Sequence, residues 1–174
     1  MKPLTKTFLK LHFRSEDHAN LIEMLRQGQI DLALVLPSTV PNEMDSKLLK
    51  PDRYILVSSA KWQGRLLSEV LRKERIIDFY ESDRTTFNYL KKFGLEKEKR
   101  PDRLFVNENE ALIRMFSAGC GFGTLTEDIA KPYLENGDLI KLNRGQVLEE
   151  PLALAWYPRH EKSDYFQDLI RSIK

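Results

Sequence analysis

The sequence predicts an α/β protein built as two lobes, on three observations. Strand-like and helix-like segments alternate along the chain, two long extended stretches interrupt that alternation, and the 174-residue length with 41% hydrophobic and 31% charged residues suits a folded core. Alternation implies open sheets covered by helices, and two long crossings imply two lobes sharing a hinge.

The elements follow in order. "FLKLHFR", Phe8 to Arg14, alternates apolar and polar positions as a half-buried strand does. "SEDHANLIEMLRQG" reads as a helix capped by Ser15 or Asp17, with Leu21, Ile22 and Leu25 inward and Gly28 as its stop. "IDLALVL", Ile30 to Leu36, is nearly continuous in apolar residues, which predicts a parallel strand covered on both faces. After a loop at Pro37, Pro41 and Asn42, "KLLKPDRYILVSS" is the first extended crossing, interrupted at Pro51. "KWQGRLLSEVLRKE" predicts a helix, "RIIDFY" a strand, "ESDRTT" a polar loop and "FNYLKKFG" a helix. "RLFVNENEALIRMFSAG" begins as a strand and becomes a helix with Leu112, Ile113 and Phe116 inward and Gly119 at its end. "GFGTLT" is a short strand, "EDIAKPYLENG" a helix containing Pro132, and "DLIKLN" a strand. "PLALAWYP" is the second crossing, and "EKSDYFQDLIRSIK" a closing helix.

Composition excludes several classes. No apolar run approaches the roughly 20 residues of a transmembrane helix. The start lacks a continuous apolar stretch before a small-residue cleavage site, which reads as no secretory signal and a cytoplasmic location. One cysteine forms no internal disulfide, and the 28 basic against 26 acidic residues are spread along the chain rather than gathered as a nucleic-acid patch. The run "EKEKRPDR", residues 96–103, mixes both signs and reads as a solvated surface loop. No spacing of His, Cys or acidic residues suggests a metal site, and no cofactor or catalytic residue is expected. "SAGCGFGTLTEDI", Ser117 to Ile129, places a helix before its glycines and a strand after them, the reverse of a dinucleotide cradle. Its glycines therefore read as a helix stop and a tight turn, and Cys120 as a small buried hydrophobe.

"LIEMLRQGQIDLALV", followed by "NENEALIRMFSAGCGFGTLTEDIAKPYLENGDLIKL", closely resembles the effector-binding domain of LysR-type transcriptional regulators. The resemblance rests on Leu25, Gly28, Ile30, Asp31, Leu32 and Ala33, and on Ala118, Gly119, Gly121, Phe122, Gly123, Gly137 and Leu139. "FGTLTEDIAKPYLENG" and "PLALAWYPR" look most like the subgroup that senses arginine and lysine. The resemblance implies two Rossmann-like lobes joined by two crossover strands, the type 2 periplasmic-binding-protein fold, with a small-molecule effector between them. It divides the chain into lobe one, residues 1–52 plus 152–174, and lobe two, residues 53–151. The winged helix-turn-helix of such regulators, through which they bind DNA, and the first βα unit of lobe one are not recognised in this sequence. A homo-oligomer is implied, and contact with a membrane is not. A transporter's solute-binding protein, or an enzyme on the same fold, is the alternative.

Ligands of open α/β folds bind at the carboxyl ends of strands. In "VNENEA" a strand ends and a helix begins, so Asn107 and Asn109 suit either capping or binding, and the helix's free N–H groups suit a carboxylate; Glu108 joins them as a candidate. The resemblance implies that these residues face the pocket. In "YESDRTT", Ser82, Thr85 and Thr86 offer hydroxyls, Arg84 suits a carboxylate, and Glu81 or Asp83 suits an ammonium or guanidinium. Ser38 and Thr39 end the equivalent strand of lobe one, and Thr124, with Thr126 near it, borders the cleft.

Overall fold

The computed structural model describes residues 11–14, 16, 18–98, 102–158 and 164–173. The chain forms two compact units, one of Met1–Asp52 with Glu150–Lys174 and the other of Arg53–Glu149.

In the first unit, helix α1 (His18–Arg26) precedes strand β1 (Ala33–Val35), and strand β2 (Asp45–Leu48) follows. Strand β9 (Ala153–Trp156) lies between β1 and β2 and pairs antiparallel with both. All four β9 residues are buried, because helices cover its two faces. On one face Ala155 packs with Leu25 of α1, Val35 and Met44, and on the other Leu154 and Trp156 pack with Ile170 of helix α6 (Asp164–Ser172). Lys47 ties α6 down by donating to the carbonyls of Ile170 and Ile173 at 2.9 and 2.8 Å, where the helix leaves acceptors unfilled.

Two expectations for this unit are corrected. The apolar run from Ile30 gives a three-residue strand that pairs antiparallel, and Leu34 on its outer face is 48% exposed. A continuous apolar run reports hydrophobic content but not strand direction. Of the predicted strand Phe8 to Arg14, residues 11–14 are in no strand, and Phe13 is 90% exposed. An alternating pattern stabilises a strand only where a neighbour supplies the hydrogen-bond ladder. Phe8, Leu9 and the proposed caps Ser15 and Asp17 lie outside the described residues.

The second unit is organised around strand β3 (Asp52–Ser59), which enters directly after Pro51. Strands β6 (Gly123–Thr126) and β7 (Leu139–Lys141) flank it antiparallel, and β8 (Val147–Glu150) also pairs with it. Ile55 and Val57 point into one core with Leu112, Ile113 and Phe116 of helix α4 (Asn109–Ala118) and Ala130 of α5 (Glu127–Glu135). Leu56 points into the opposite core with Val70 and Leu71 of α2 (Leu67–Lys73) and Tyr89 and Leu90 of α3 (Thr85–Lys92). Strands β4 (Ile76–Asp78) and β5 (Arg103–Phe105) pair in parallel. They join β6 through a parallel bridge between Ile76 and Phe122, where Phe122 N–H donates to Arg75 O and Ile77 N–H to Phe122 O, both at 2.9 Å.

That bridge explains the glycine run. Gly119 ends α4 in the left-handed conformation, and Cys120 N–H closes the helix on Met115 O. A Cβ on Gly121 would lie 2.5 Å from Arg75 O, and one on Gly123 would lie 2.5 Å from Ile77 O. Cys120 itself is exposed, against the buried position expected for it, because the helix cap turns its side chain outward. The predicted helix from Lys61 is also shorter than expected. A 3-10 turn at Ala60–Trp62 and the left-handed Gly64 delay α2 to Leu67. Among the described residues no helix is long and apolar enough to cross a membrane.

Gly123→Ala therefore forces backbone apart, whereas Ala at the left-handed Gly137, with open space around it, meets only conformational strain. In urea unfolding, Gly123→Ala is expected to cost about 3 kcal/mol and Gly137→Ala about 1 kcal/mol. Equal costs would contradict the close-approach explanation.

Candidate functional site

A pocket of about 160 Å³ opens in the second unit, bordered by the ends of β4 and β6 and the starts of α3 and α4. Asp83, Thr85, Asn109, Thr124 and Thr126 supply its polar surface, and Leu112, Leu125 and Ile129 its apolar wall. Asp78 lies at its floor, 3% exposed.

Burial holds the Asp78 carboxyl above the ordinary aspartate range, against the opposing hydrogen bonds and charge of its partners Thr86 and Arg103. Arg103 lies 2.6 Å from Asp78, and their side chains are 12% and 1% exposed. The Thr86 hydroxyl hydrogen-bonds Asp78, lies 3.0 Å from the Thr124 hydroxyl and accepts from Thr124 N–H at 3.3 Å. Thr86 is 1% exposed and works as a connector, not as a ligand contact as expected, because its hydroxyl points inward.

Both helix starts at the pocket carry acids. Asp83 accepts from Phe79 N–H at 3.3 Å and from Thr85 N–H at 2.8 Å at the start of α3. At α4 the cap is Glu108, which accepts from Glu110 N–H at 2.9 Å and Ala111 N–H at 2.6 Å. The expected capping by Asn107 or Asn109 is thereby corrected. Glu108 has the extended backbone of a cap residue, while Asn109 already sits in the helix. The N–H groups expected to hold a ligand carboxylate are taken by a carboxylate of the chain.

The sequence matches the LysR substrate binding domain over residues 7–174. The chain belongs to this LysR family. Its members are regulatory domains with the type 2 periplasmic-binding-protein fold, not enzymes. The fold is similar to that of ArgP from Mycobacterium tuberculosis, with a TM-score of 0.77 and 20% identity over 91% of this chain and 56% of that one. It is similar to full-length LysG from Corynebacterium glutamicum with bound effector Arg, with a TM-score of 0.69, 19% identity, and coverage of 91% and 56%. The regulatory domain of HypT from Salmonella typhimurium matches with a TM-score of 0.73, 18% identity, and coverage of 91% and 79%. The chain thus spans a little over half the length of ArgP and LysG. No match to a curated protein was found.

Of the predicted contacts of this LysR domain, Thr85, Asn109 and Thr124 line the pocket together. Ser82, Arg84, Asn107 and Glu108 are exposed and outside its lining, and the Arg84 guanidinium lies 5.6 Å from the centre of the Phe87 ring. Ser38 and Thr39 are exposed in a 3-10 turn of the first unit, where Thr39 donates to Leu36 O at 2.8 Å. Sequence reasoning missed Arg103, assigned to a solvated loop with its charged neighbours. The signal was Asp78, an acid inside the apolar run "RIIDFY" that needs a buried cation or donor. Among the described residues no cluster of His, Cys, Asp and Glu is arranged to hold a metal.

The two backbone N–H groups hold the Glu108 carboxyl below the ordinary glutamate range. A carboxyl lowered on folding contributes stability above its unfolded value and loses it as pH falls through its folded value. Thermal midpoints of wild type and Glu108→Gln are expected to differ at pH 7, wild type being higher, and to converge below pH ~4. A constant difference across that range would contradict the charged cap.

Proposed function

We propose that this LysR domain senses a small polar metabolite in the second-unit pocket, and that the metabolite carries a cationic group as lysine and arginine do. The observation that carries this reading is the capping of both helix starts by Asp83 and Glu108. An anion entering there meets Asp83 in the lining and finds the α4 N–H groups next to Asn109 already taken by Glu108, whereas an ammonium or guanidinium meets favourable charge. Thr85, Asn109 and Thr124 then supply neutral hydrogen bonds, and Leu112 and Ile129 take an aliphatic stem. LysG, solved with bound arginine, supports the ligand class by its similar fold.

An effector shifts a regulator only through a difference in its affinity for two states, so the pocket's contacts must differ between those states. We assign DNA recognition to the part of such regulators that this chain does not span, and regulation to a homo-oligomer in the cytoplasm.

Thermal unfolding against L-arginine, L-lysine, neutral amino acids and dicarboxylates tests the reading. A basic amino acid at a hundred times its dissociation constant is expected to add about 2.7 kcal/mol, seen as a raised midpoint. Thr85→Val and Asn109→Ala are each expected to weaken that affinity roughly threefold to tenfold, the loss of one hydrogen bond. A larger rise with a dicarboxylate than with either basic amino acid would overturn the ligand class.

A further inference from the structure

We propose that Arg103 is a positioning residue that locks the loop of residues 79–84 and so sets where Asp83 and Thr85 stand in the pocket. The inference about the pocket rests on the functional reading above, while the lock itself rests on geometry alone.

The loop turns three carbonyls toward one point. Arg103 Nη1 donates to Glu81 O at 3.0 Å, and Nη2 lies 3.4 Å from Tyr80 O and 2.8 Å from Asp83 O. Converging carbonyl dipoles repel one another unless a cation lies among them, so the guanidinium is what makes this turn tolerable. From the other side, Arg103 Nε donates to Asp78 Oδ2 at 2.7 Å, which anchors the guanidinium to the end of β4. The rings of Phe87 and Phe105 each lie 4.8 Å from the guanidinium carbon and limit its movement. A planar group with five donors can serve strand and loop at once. A lysine ammonium keeps the charge near Asp78 but has no such fork to span both.

The lock also connects the pocket's two acids. Asp83 gives its carbonyl to Arg103 and its carboxylate to Phe79 N–H and Thr85 N–H, so the start of α3 follows from where the guanidinium stands. Through Asp78 and Thr86 the same network reaches Thr124.

Hydrogen exchange of the full chain, with Arg103→Lys and Phe105→Leu, provides the test. Arg103→Lys is expected to speed exchange of the Phe79, Asp83 and Thr85 amides at least tenfold and to leave the β3 amides within twofold of wild type. Phe105→Leu, which removes one half-exposed ring, is expected to have a smaller effect in the same place and covers the case in which Arg103→Lys does not fold. Loop amides unchanged in the folded variants, or accelerated equally with β3, would overturn the lock. Midpoint shifts with L-arginine and L-lysine are expected to shrink in Arg103→Lys by the equivalent of a tenfold loss of affinity. Unaltered affinity beside a loosened loop would overturn the positioning role. A wild type that responds to neither amino acid would sink the ligand class instead, and exchange would still decide the lock.

Discussion

The second unit depends on one backbone approach, between residues 121–123 and strand β4. Gly121 and Gly123 leave no Cβ between the strands, so Phe122 can bridge Arg75 and Ile77 through backbone hydrogen bonds alone. The consequence reaches both cores. Phe122 is delivered to the α2 and α3 side of the sheet, and Leu125 to the α4 and α5 side. The same approach brings Thr124 beside Thr86, without which the pocket's polar floor would be two unconnected halves. The three glycines around Cys120 thus provide one helix stop and two close backbone approaches.

The floor itself balances opposing requirements. Removing Asp78 from water disfavours its charge, and Arg103 and Thr86 only partly offset that burial. Such a pair is weak evidence for stability, since apolar residues of similar volume commonly do as well. Its value here is orientation. One buried acid, through Thr86, ties the Thr124 hydroxyl at the pocket wall to the end of β4.

What the sequence revealed follows the range over which its signals act. Helix stops at Gly28 and Gly119 were legible because each is a local requirement, and both have positive φ. Apolar faces such as Leu112, Ile113 and Phe116 were legible because their spacing repeats. Strand direction in the first unit was not, because pairing with β9 joins residues more than a hundred positions apart. In the site, strand ends pointed to Thr85, Asn109 and Thr124, but the choice of Glu108 over its asparagine neighbours depends on backbone angles that composition does not encode. Arg103 was hidden by its company, since six charges precede it within the run from Glu96.

The Glu108 cap has a consequence for how selectivity can change. A side chain that already fills a helix start is a tethered competitor, present at a fixed high local concentration that no change in the cell can dilute. A negatively charged visitor must first evict it and then leave a carboxylate without its two N–H partners. On the proposed reading, the charge preference of this corner is set in part by one exposed residue that belongs to neither core.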